Sequence, residues 1–436
     1  MKFYDREEEL VFLEKQEQRS RVSAQLTLVI GRRRIGKTSL LKKSIQGKKA
    51  LYFFIAKKSE TLLVEEFSEI IRTNLNISWY GELKSFKDIF WVLMDHAEKE
   101  SFTLVIDEFQ EFLNINSSVF SDMQNIWDSK KEVAKINLII CGSIYSMMKR
   151  IFEDSREPLF ARATGKIQLQ PFGTNTIKEI LADHKPDLAP FDLLAIFTLT
   201  GGVAKYLENM VNASAFNLDA MLNEIFQSNS IMLEEGKHVL IEEFGKDYST
   251  YFSILSLIAS SKTSRPEIES ILEMSVGGYL DRLENEFGII KKIKPILSKP
   301  SSRQIKYRIE DNFLNFWFRF IYKYRSIVEI ENFDLIKQIV KRDFSGFVGQ
   351  ALEKYFFLQL KESKLYSAIG TYWEKGNQNE IDLVAINEIE KKLLIAEVKL
   401  NKEKYNHQKL IEKSANLLLS FPDFQVAYRC LSLEDV

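Results

Sequence analysis

Through its first third, the chain alternates short, continuously apolar runs with longer amphipathic stretches. AQLTLVIG at 24–31, ALYFFIA at 50–56, FTLVIDEF at 102–109 and INLIICGS at 136–143 are apolar runs bounded by polar turns. Such runs predict strands buried on both faces. Between them, SLLKKSIQ and the stretches 60–76 and 85–100 place apolar residues at helical spacing. Strands alternating with helices predict a parallel α/β sheet. Beyond Pro190 the strand pattern stops and 191–245 reads as helical. From 249 to 310 the pattern runs helix, helix, turn, helix, then two short strands around SKPSS. A last α/β unit starts near 331, with a helix at 347–361, strands near 366–373, 380–386 and 392–399, and a closing helix near 406–420. The predicted divisions are 1–190, 191–248, 249–330 and 331–436, with no internal repeat or low-complexity segment.

Composition narrows the possibilities without choosing among them. The 436 residues are 45% hydrophobic and 28% charged, which is ordinary globular material. A net charge of −1 gives no overall field toward nucleic acid or membrane, so any nucleic-acid contact must be a local patch. Cys141 and Cys430 show no pairing pattern, which fits a reducing, cytoplasmic setting. The opening MKFYDREEEL is too acidic for a secretory signal. No run approaches the roughly 20 apolar residues of a membrane span, so no membrane partner is expected. His96, His184, His238 and His407 are dispersed, which argues against a Zn²⁺ site.

The first candidate chemistry lies where a strand meets a helix. Gly31-Arg32-Arg33-Arg34-Ile35-Gly36-Lys37-Thr38, followed by Ser39, matches G-x-x-x-x-G-K-[ST] in the required strand–turn–helix context. The glycines let backbone N–H groups face phosphate oxygens, and the helix that follows offers its positive end to the same anion. Lys37 would reach the β- and γ-phosphates of ATP, and Thr38 would bind Mg²⁺ through its hydroxyl. Leu104-Val-Ile-Asp107-Glu108 ends an apolar strand in two carboxylates. Asp107 would hold Mg²⁺, and Glu108 would orient or deprotonate the attacking water. Taken alone, the same pair is also what a solvated turn looks like. Ser143, at the end of another strand, can sense the γ-phosphate or simply terminate the strand. Arg162 in PLFARATG can serve as an arginine finger or sit in a surface salt bridge. Acting on a neighbouring copy would require a homo-oligomer.

These segments resemble the archaeal-type ATPases of the AAA+/STAND group. Phe3-Tyr-Asp-Arg6-Glu-Glu-Glu9-Leu10 is similar to that family's opening F-x-x-R-x-x-E-L, which implies that Arg6 lies beside the nucleotide base. GRRRIGKTSLL, LVIDEFQ and PLFARATG match its P-loop, Walker B and P-L-[YF]-x-R-x-x-G segments. Gly201-Gly-Val-Ala204-Lys-Tyr206-Leu207 resembles its G-G-x-P-x-Y-L, with Ala204 where the family has proline. The resemblance implies an ASCE-type sheet with the sensor strand between the P-loop and Walker B strands, followed by a helical lid.

The region 249–310 reads as a winged helix, with PEIESILE and GGYLDRLENEFG as its second and third helices and IIKKIK and IKYRIE as wing strands. Between Ile289 and Ile309 stand Lys291, Lys292, Lys294, Lys299, Arg303, Lys306 and Arg308, with no acidic residue. Such a wing can lie along DNA phosphates. The acidic third helix, with Asp281, Glu284 and Glu286, is poor for reading bases and leaves a packing role open. The aromatic run that follows places Phe313, Phe316, Trp317 and Phe320 at core-helix spacing and matches the family's D-x-F-L-x-F-W-x-R-F.

Glu380-Ile-Asp382 and Ala-Glu397-Val-Lys399 have the D…E-x-K order of the PD-(D/E)XK nuclease core. Glu397 and Lys399 share one strand face, and Asp382 on the next strand can meet them. Asp382 and Glu397 would bind Mg²⁺, Lys399 would stabilise charge at the attacked phosphate, and Glu353 on the preceding helix would add a metal contact. An edge-strand Glu/Lys pair is the plainer alternative. Tyr372-Trp-Glu-Lys-Gly-Asn-Gln-Asn-Glu380-Ile-Asp382 resembles the family's C-terminal domain and archaeal Holliday-junction resolvases, which implies a restriction-endonuclease-like α/β domain. The expectation is therefore an Mg²⁺-ATPase coupled to a DNA-directed nuclease domain. The alternative is a regulatory or signalling ATPase switch whose C-terminal domain binds nucleic acid or protein without cutting.

Overall fold

The computed structural model describes residues 1–245 and 248–436. The chain divides into two compact units, Lys2–Gln170 and Pro171–Val436, with Met1 grouped with the second.

The first unit is built on five strands: β1 (Gln25–Ile30), β2 (Ala50–Phe54), β3 (Phe102–Asp107), β4 (Ile136–Gly142) and β5 (Gly165–Gln168). All pair in parallel, in the order β2-β3-β4-β1-β5. Every residue of β3 and β4 is buried, as continuous apolar strands between two helical layers must be. β4 lies between β1 and β3, the sensor-strand position the family resemblance implies. The helices Glu60–Leu75 and Phe86–Lys99 bury Phe67, Phe86 and Phe90 against this sheet. A capping box fixes the start of the second helix: Ser85 Oγ accepts from Asp88 N at 3.3 Å and Asp88 Oδ2 accepts from Ser85 N at 3.0 Å. The chain pattern did not announce β5, because its residues alternate between exposed and buried and form no apolar run.

The second unit begins with helices Thr174–His184, Pro190–Thr200, Ala204–Asn212, Leu218–Ile225 and Met232–Phe244. Three further helices, Tyr248–Ala259, Arg265–Leu272 and Gly277–Asn285, precede an antiparallel hairpin of β6 (Ile290–Ile293) and β7 (Lys306–Ile309). The aromatic run that follows is core: Phe313, Phe316, Trp317 and Phe320 are all buried, and Trp317 donates its indole N–H to Leu233 O at 2.8 Å. The long helix Phe333–Glu362 starts well before the expected 347. Ile336, Val340, Phe344 and Val348 recur every fourth residue and are buried, so one apolar stripe runs through the earlier turns. It leads into a sheet of β8 (Ala368–Tyr372), β9 (Ile381–Asn387), β10 (Lys392–Lys399) and β11 (Gln425–Ser432), in the order β11-β10-β9-β8. β8, β9 and β10 pair antiparallel, while β11 pairs parallel to β10 after the crossover helix His407–Leu418. β11 is an addition to the predicted elements.

Candidate functional site

In the first unit, the C-terminal ends of β1, β3 and β4 bring the P-loop, the two carboxylates and Ser143 together. The loop needs glycine at both of its ends. A Cβ on Gly31 would lie 2.4 Å from Ile35 Cδ1 and 2.8 Å from Leu169 O, and Gly36 adopts φ 96° as it opens the helix Lys37–Ser44. Lys37 is buried, and its Nζ donates to Gly31 O at 2.7 Å and Arg32 O at 2.9 Å. Burial lowers its pKa, against the opposing pull of Cys141, Glu108 and Asp107. Its hydrogen bonds run to two carbonyls, with the carboxylates of Asp107 and Glu108 acting only through their charge, and a nucleotide phosphate would give it an anion in direct contact.

Asp107 is the hub. Its Oδ1 accepts the Glu108 backbone N–H at 2.9 Å, and its Oδ2 accepts from Thr38 Oγ1 at 3.2 Å and from the Tyr52 hydroxyl. Burial, then the Asp107 hydrogen bond, pushes the Tyr52 phenol far up, so it stays a donor. Thr38 and Asp107 thus present a hydroxyl and a carboxylate side by side, hard oxygen donors of the kind Mg²⁺ takes alongside nucleotide phosphates. Glu108 has left-handed backbone, φ 56° and ψ 37°, a conformation that costs a non-glycine residue energy and is held by its surroundings. Its Oε2 accepts from Ser143 Oγ at 2.7 Å and from Gln110 Nε2 at 2.5 Å. Sequence reasoning named Ser143 but not Tyr52 or Gln110. Tyr52 sits in an apolar strand where an aromatic reads as core, and Gln110 follows the carboxylates inside a turn.

Two other sequence candidates, Arg6 and Arg162, are held by partners within the protein. Arg6 is buried, and its guanidinium donates to Gln170 O at 2.7 Å and pairs with Glu9 at 3.4 Å. Burial lowers its pKa, while Glu9 and Asp5 counter the fall. It therefore braces the segment whose Leu169 closes over Gly31. Arg162 binds Asp128 Oδ2 through Nε at 3.2 Å and Nη2 at 2.9 Å, the salt-bridge arrangement, and donates Nη1 to Phe160 O at 2.9 Å.

The second unit assembles the C-terminal constellation. β9 and β10 pair with Ala396 opposite Leu383, so the same register continued by one residue sets Glu397 opposite Asp382 on one face. Lys399 Nζ lies 2.5 Å from Glu397 Oε2 and 3.4 Å from Asp382 Oδ2. Lys413, on the helix His407–Leu418, bonds Glu397 Oε1. Burial raises the Glu397 carboxyl, but its bonds to the two lysines outweigh this and its pKa falls. Asp382 goes the other way: burial raises it more than the Val398 N–H bond at 2.8 Å lowers it. Glu353 is pushed up to about 8, by burial first and then by the charge of Asp382. Among the described residues, no group of three or more His, Cys, Asp and Glu converges closely enough to hold a metal ion. Each oxygen of Glu397 is drawn to a lysine, and the charge of Asp382 acts on Glu353. Lys413 escaped the sequence reading because its helix carries several lysines with nothing to distinguish this one.

The basic hairpin is partly neutralised within the chain. Lys292 pairs with Glu284 at 2.6 Å, Lys306 with Glu380 at 2.8 Å and Arg308 with Glu310 at 3.6 Å. Lys294 donates to Pro300 O at 2.6 Å. Among the described residues, Lys291, Lys299 and Arg303 are exposed and form no ion pair. No helix is long and apolar enough to cross a membrane, among the described residues.

Residues 3–210 match the sequence profile of an ATPase domain predominantly from Archaea. Residues 317–411 match a profile of archaeal and bacterial proteins of unknown function. An uncharacterised protein of Methanocaldococcus jannaschii is 30% identical over 409 residues, covering 91% of this chain and 87% of that protein. Among solved structures, a Walker-type ATPase of Pyrococcus abyssi superposes with a TM-score of 0.55 at 20% identity, covering 72% of this chain and 96% of that one. The ORC2 protein of Aeropyrum pernix, solved with ADPNP and ADP, gives a TM-score of 0.48 at 14% identity over 76% of this chain and 95% of that one.

Proposed function

The chain belongs to the family of P-loop ATPases found predominantly in Archaea, and from that membership we propose that its ATP hydrolysis is Mg²⁺-dependent and serves a nucleic-acid-directed C-terminal domain. The backbone of Gly31 to Ser39 cradles the phosphates, and Lys37 exchanges its carbonyl partners for the β- and γ-phosphates. Thr38 and Asp107 would hold Mg²⁺, which would supply positive charge to offset that of the nucleotide phosphates. Glu108 takes the proton of the attacking water, and Ser143 and Gln110 hold its carboxylate in place. That bracing of Glu108 Oε2, at 2.7 and 2.5 Å, is the observation that carries hydrolysis rather than binding alone. Arg162 would have to leave Asp128 to reach a phosphate, in this chain or in a neighbouring copy. Lys37→Ala should abolish ATP turnover, and a variant that still turns over ATP normally would show the site is elsewhere. Glu108→Gln should bind ATP yet lose about 10²–10⁴ in kcat, the usual worth of a positioned general base.

The division 1–190, 191–248, 249–330 and 331–436 completes this reading as ATPase core, helical lid, winged helix and nuclease-like domain. Three helices followed by the β6–β7 hairpin support the winged helix. Helix, three antiparallel strands, crossover helix and a parallel strand support the nuclease-like domain, with Asp382, Glu397 and Lys399 on its central strands. Asp382 and Glu397 are the pair that would hold Mg²⁺, and Lys399 would stabilise charge at the attacked phosphate. A second reading has a specific observation in its favour. Both oxygens of Glu397 are engaged by lysines, an arrangement that balances charge without a metal and suits a regulatory or signalling ATPase switch whose C-terminal domain binds nucleic acid or protein without cutting. A screen of linear and branched DNA with Mg²⁺ or Mn²⁺, with and without ATP, separates the two. Cleavage that disappears in Glu397→Ala supports the nuclease, and wild-type protein that cuts no DNA form supports the switch.

A further inference from the structure

The β6–β7 hairpin is tied into the C-terminal sheet. Just past β6, Pro295 bridges Thr371 of β8 in parallel, and Ile296 N donates to Thr371 O at 2.7 Å. Ile296 also packs on Gly370, where an added Cβ would meet it at 3.3 Å. From β7, Lys306 reaches Glu380, two residues before Asp382, with its ammonium 4.7 Å from the centre of the Trp373 ring. Two residues on, and on the same strand face, Arg308 acts on the charge of Glu353. Lys354, next to Glu353, donates to Asn312 Oδ1 at 2.8 Å and to Glu310 O. The hairpin is therefore bonded to β8 and to Glu380, the residue two before Asp382, and Asp382 is in turn joined through Lys399 to Glu397 and Lys413.

The charges along this series follow a pattern. Lys291, Lys299 and Arg303 are exposed and, among the described residues, form no ion pair. Nearer the cluster, Lys306 is held by a single carboxylate, Glu380, that is half exposed at 49%. An exposed carboxylate bonded to one lysine contributes little, because water and salt screen it. A row of phosphates, which releases counterions as it binds, competes with it readily.

We propose that the hairpin and the carboxylate–lysine cluster form one composite surface for the backbone of duplex DNA. Lys291, Lys299 and Arg303 grip the backbone, and Lys306 transfers from Glu380 to a phosphate. The same strand then runs on toward Lys399 and Lys413. Glu380 holds Lys306 where a phosphate would, so it weakens binding to any duplex that cannot displace it. This inference rests on the nucleic-acid reading of the C-terminal unit and specifies the surface involved.

The test measures binding of a fluorescein-labelled duplex to the full chain by anisotropy, in EDTA, across a KCl series. Reversing three contacts in K291E/K299E/R303E should weaken binding at least about tenfold and flatten the log–log salt slope by about 2 to 3. Glu380→Gln should tighten binding several-fold, and Lys413→Gln should weaken it. Circular dichroism and the unfolding midpoint check that the triple variant folds. If it does not, the exposed single changes K299E and R303E give the same readout. Wild-type binding that neither the triple reversal nor Glu380→Gln alters overturns the composite surface and leaves the cluster's own reading intact. Absence of binding by both wild type and Glu380→Gln at low salt overturns the nucleic-acid reading itself.

Discussion

Asp107 Oδ2 accepts hydrogens from both Thr38 and Tyr52. A carboxylate oxygen has two lone pairs in the plane: the phenol takes one, so the one that Thr38 now fills is the one a cation held between Thr38 and Asp107 would use. Tyr52→Phe keeps the ring and removes only that donor. It should raise the Mg²⁺ concentration for half-maximal ATP turnover several-fold while leaving kcat at saturating Mg²⁺ close to wild type. A Mg²⁺ titration at fixed ATP checks this, and an unchanged half-saturation point would leave Tyr52 a packing residue only. Glu353 makes a second residue-scale prediction. Its carboxyl rises to about 8 in the folded chain, from an ordinary value of 4.5. The folded state therefore holds a proton that the unfolded state releases, and stability falls as pH rises between those values. In EDTA, the wild-type Tm should drop more from pH 5 to pH 8 than that of Glu353→Gln, which has no proton to lose. Parallel pH profiles would remove the assignment. Lys37, Thr38, Asp107 and Glu108 were legible because fixed spacing encodes their chemistry. Tyr52, Gln110 and Lys413 were not, since each acquires its partner only through the fold.

Elements divide along the same line. Strands buried on both faces appear as unbroken apolar runs, and β1 to β4 were all readable on that basis. β5 and β11 alternate exposed and covered residues along strands at the sheet margins, so no run marks them. The helix Phe333–Glu362 is the longest element, about 45 Å at 1.5 Å per residue. At its far end, Glu362 accepts the N–H of Thr174 at 2.8 Å, the hydroxyl of Thr174 at 2.7 Å and the N–H of Asn175 at 3.2 Å. A carboxylate from distant sequence thus caps the first turn of Thr174–His184, whose own N-cap residue, Gly173, has no side chain to do so. A Cβ on Gly173 would lie 2.5 Å from Glu362 Oε1, so this glycine is what lets the carboxylate approach. Glu362→Ala should cost about 1–2 kcal/mol, the usual worth of a lost cap, read as a fall in the denaturant midpoint of the second unit. A midpoint within error of wild type would mean that solvent caps the helix equally well.

At the scale of the whole chain, the open question is whether nucleotide and nucleic acid influence one another. The P-loop lies in Lys2–Gln170, while the hairpin and the carboxylate–lysine cluster lie in Pro171–Val436. Any influence between them is a coupling free energy, and for binding it is reciprocal. If a non-hydrolysable ATP analogue changes the affinity for duplex DNA by some factor, DNA must change the affinity for the analogue by the same factor. Typical couplings of about 1–3 kcal/mol correspond to factors of about 5 to 150. We predict a factor in that range in both directions, measured by anisotropy for DNA with and without the analogue and by calorimetry for the analogue with and without DNA. Glu108→Gln is suited to the same cycle with ATP itself, because it should hold ATP without consuming it. Lys37→Ala should bring the factor to one by removing nucleotide binding, and K291E/K299E/R303E should lower DNA affinity while leaving nucleotide affinity in the absence of DNA untouched. A factor of one in wild type, with both ligands bound, would mean that the two units share a chain without sharing energy. ATP turnover would then have to act on some partner other than the nucleic acid proposed for the second unit.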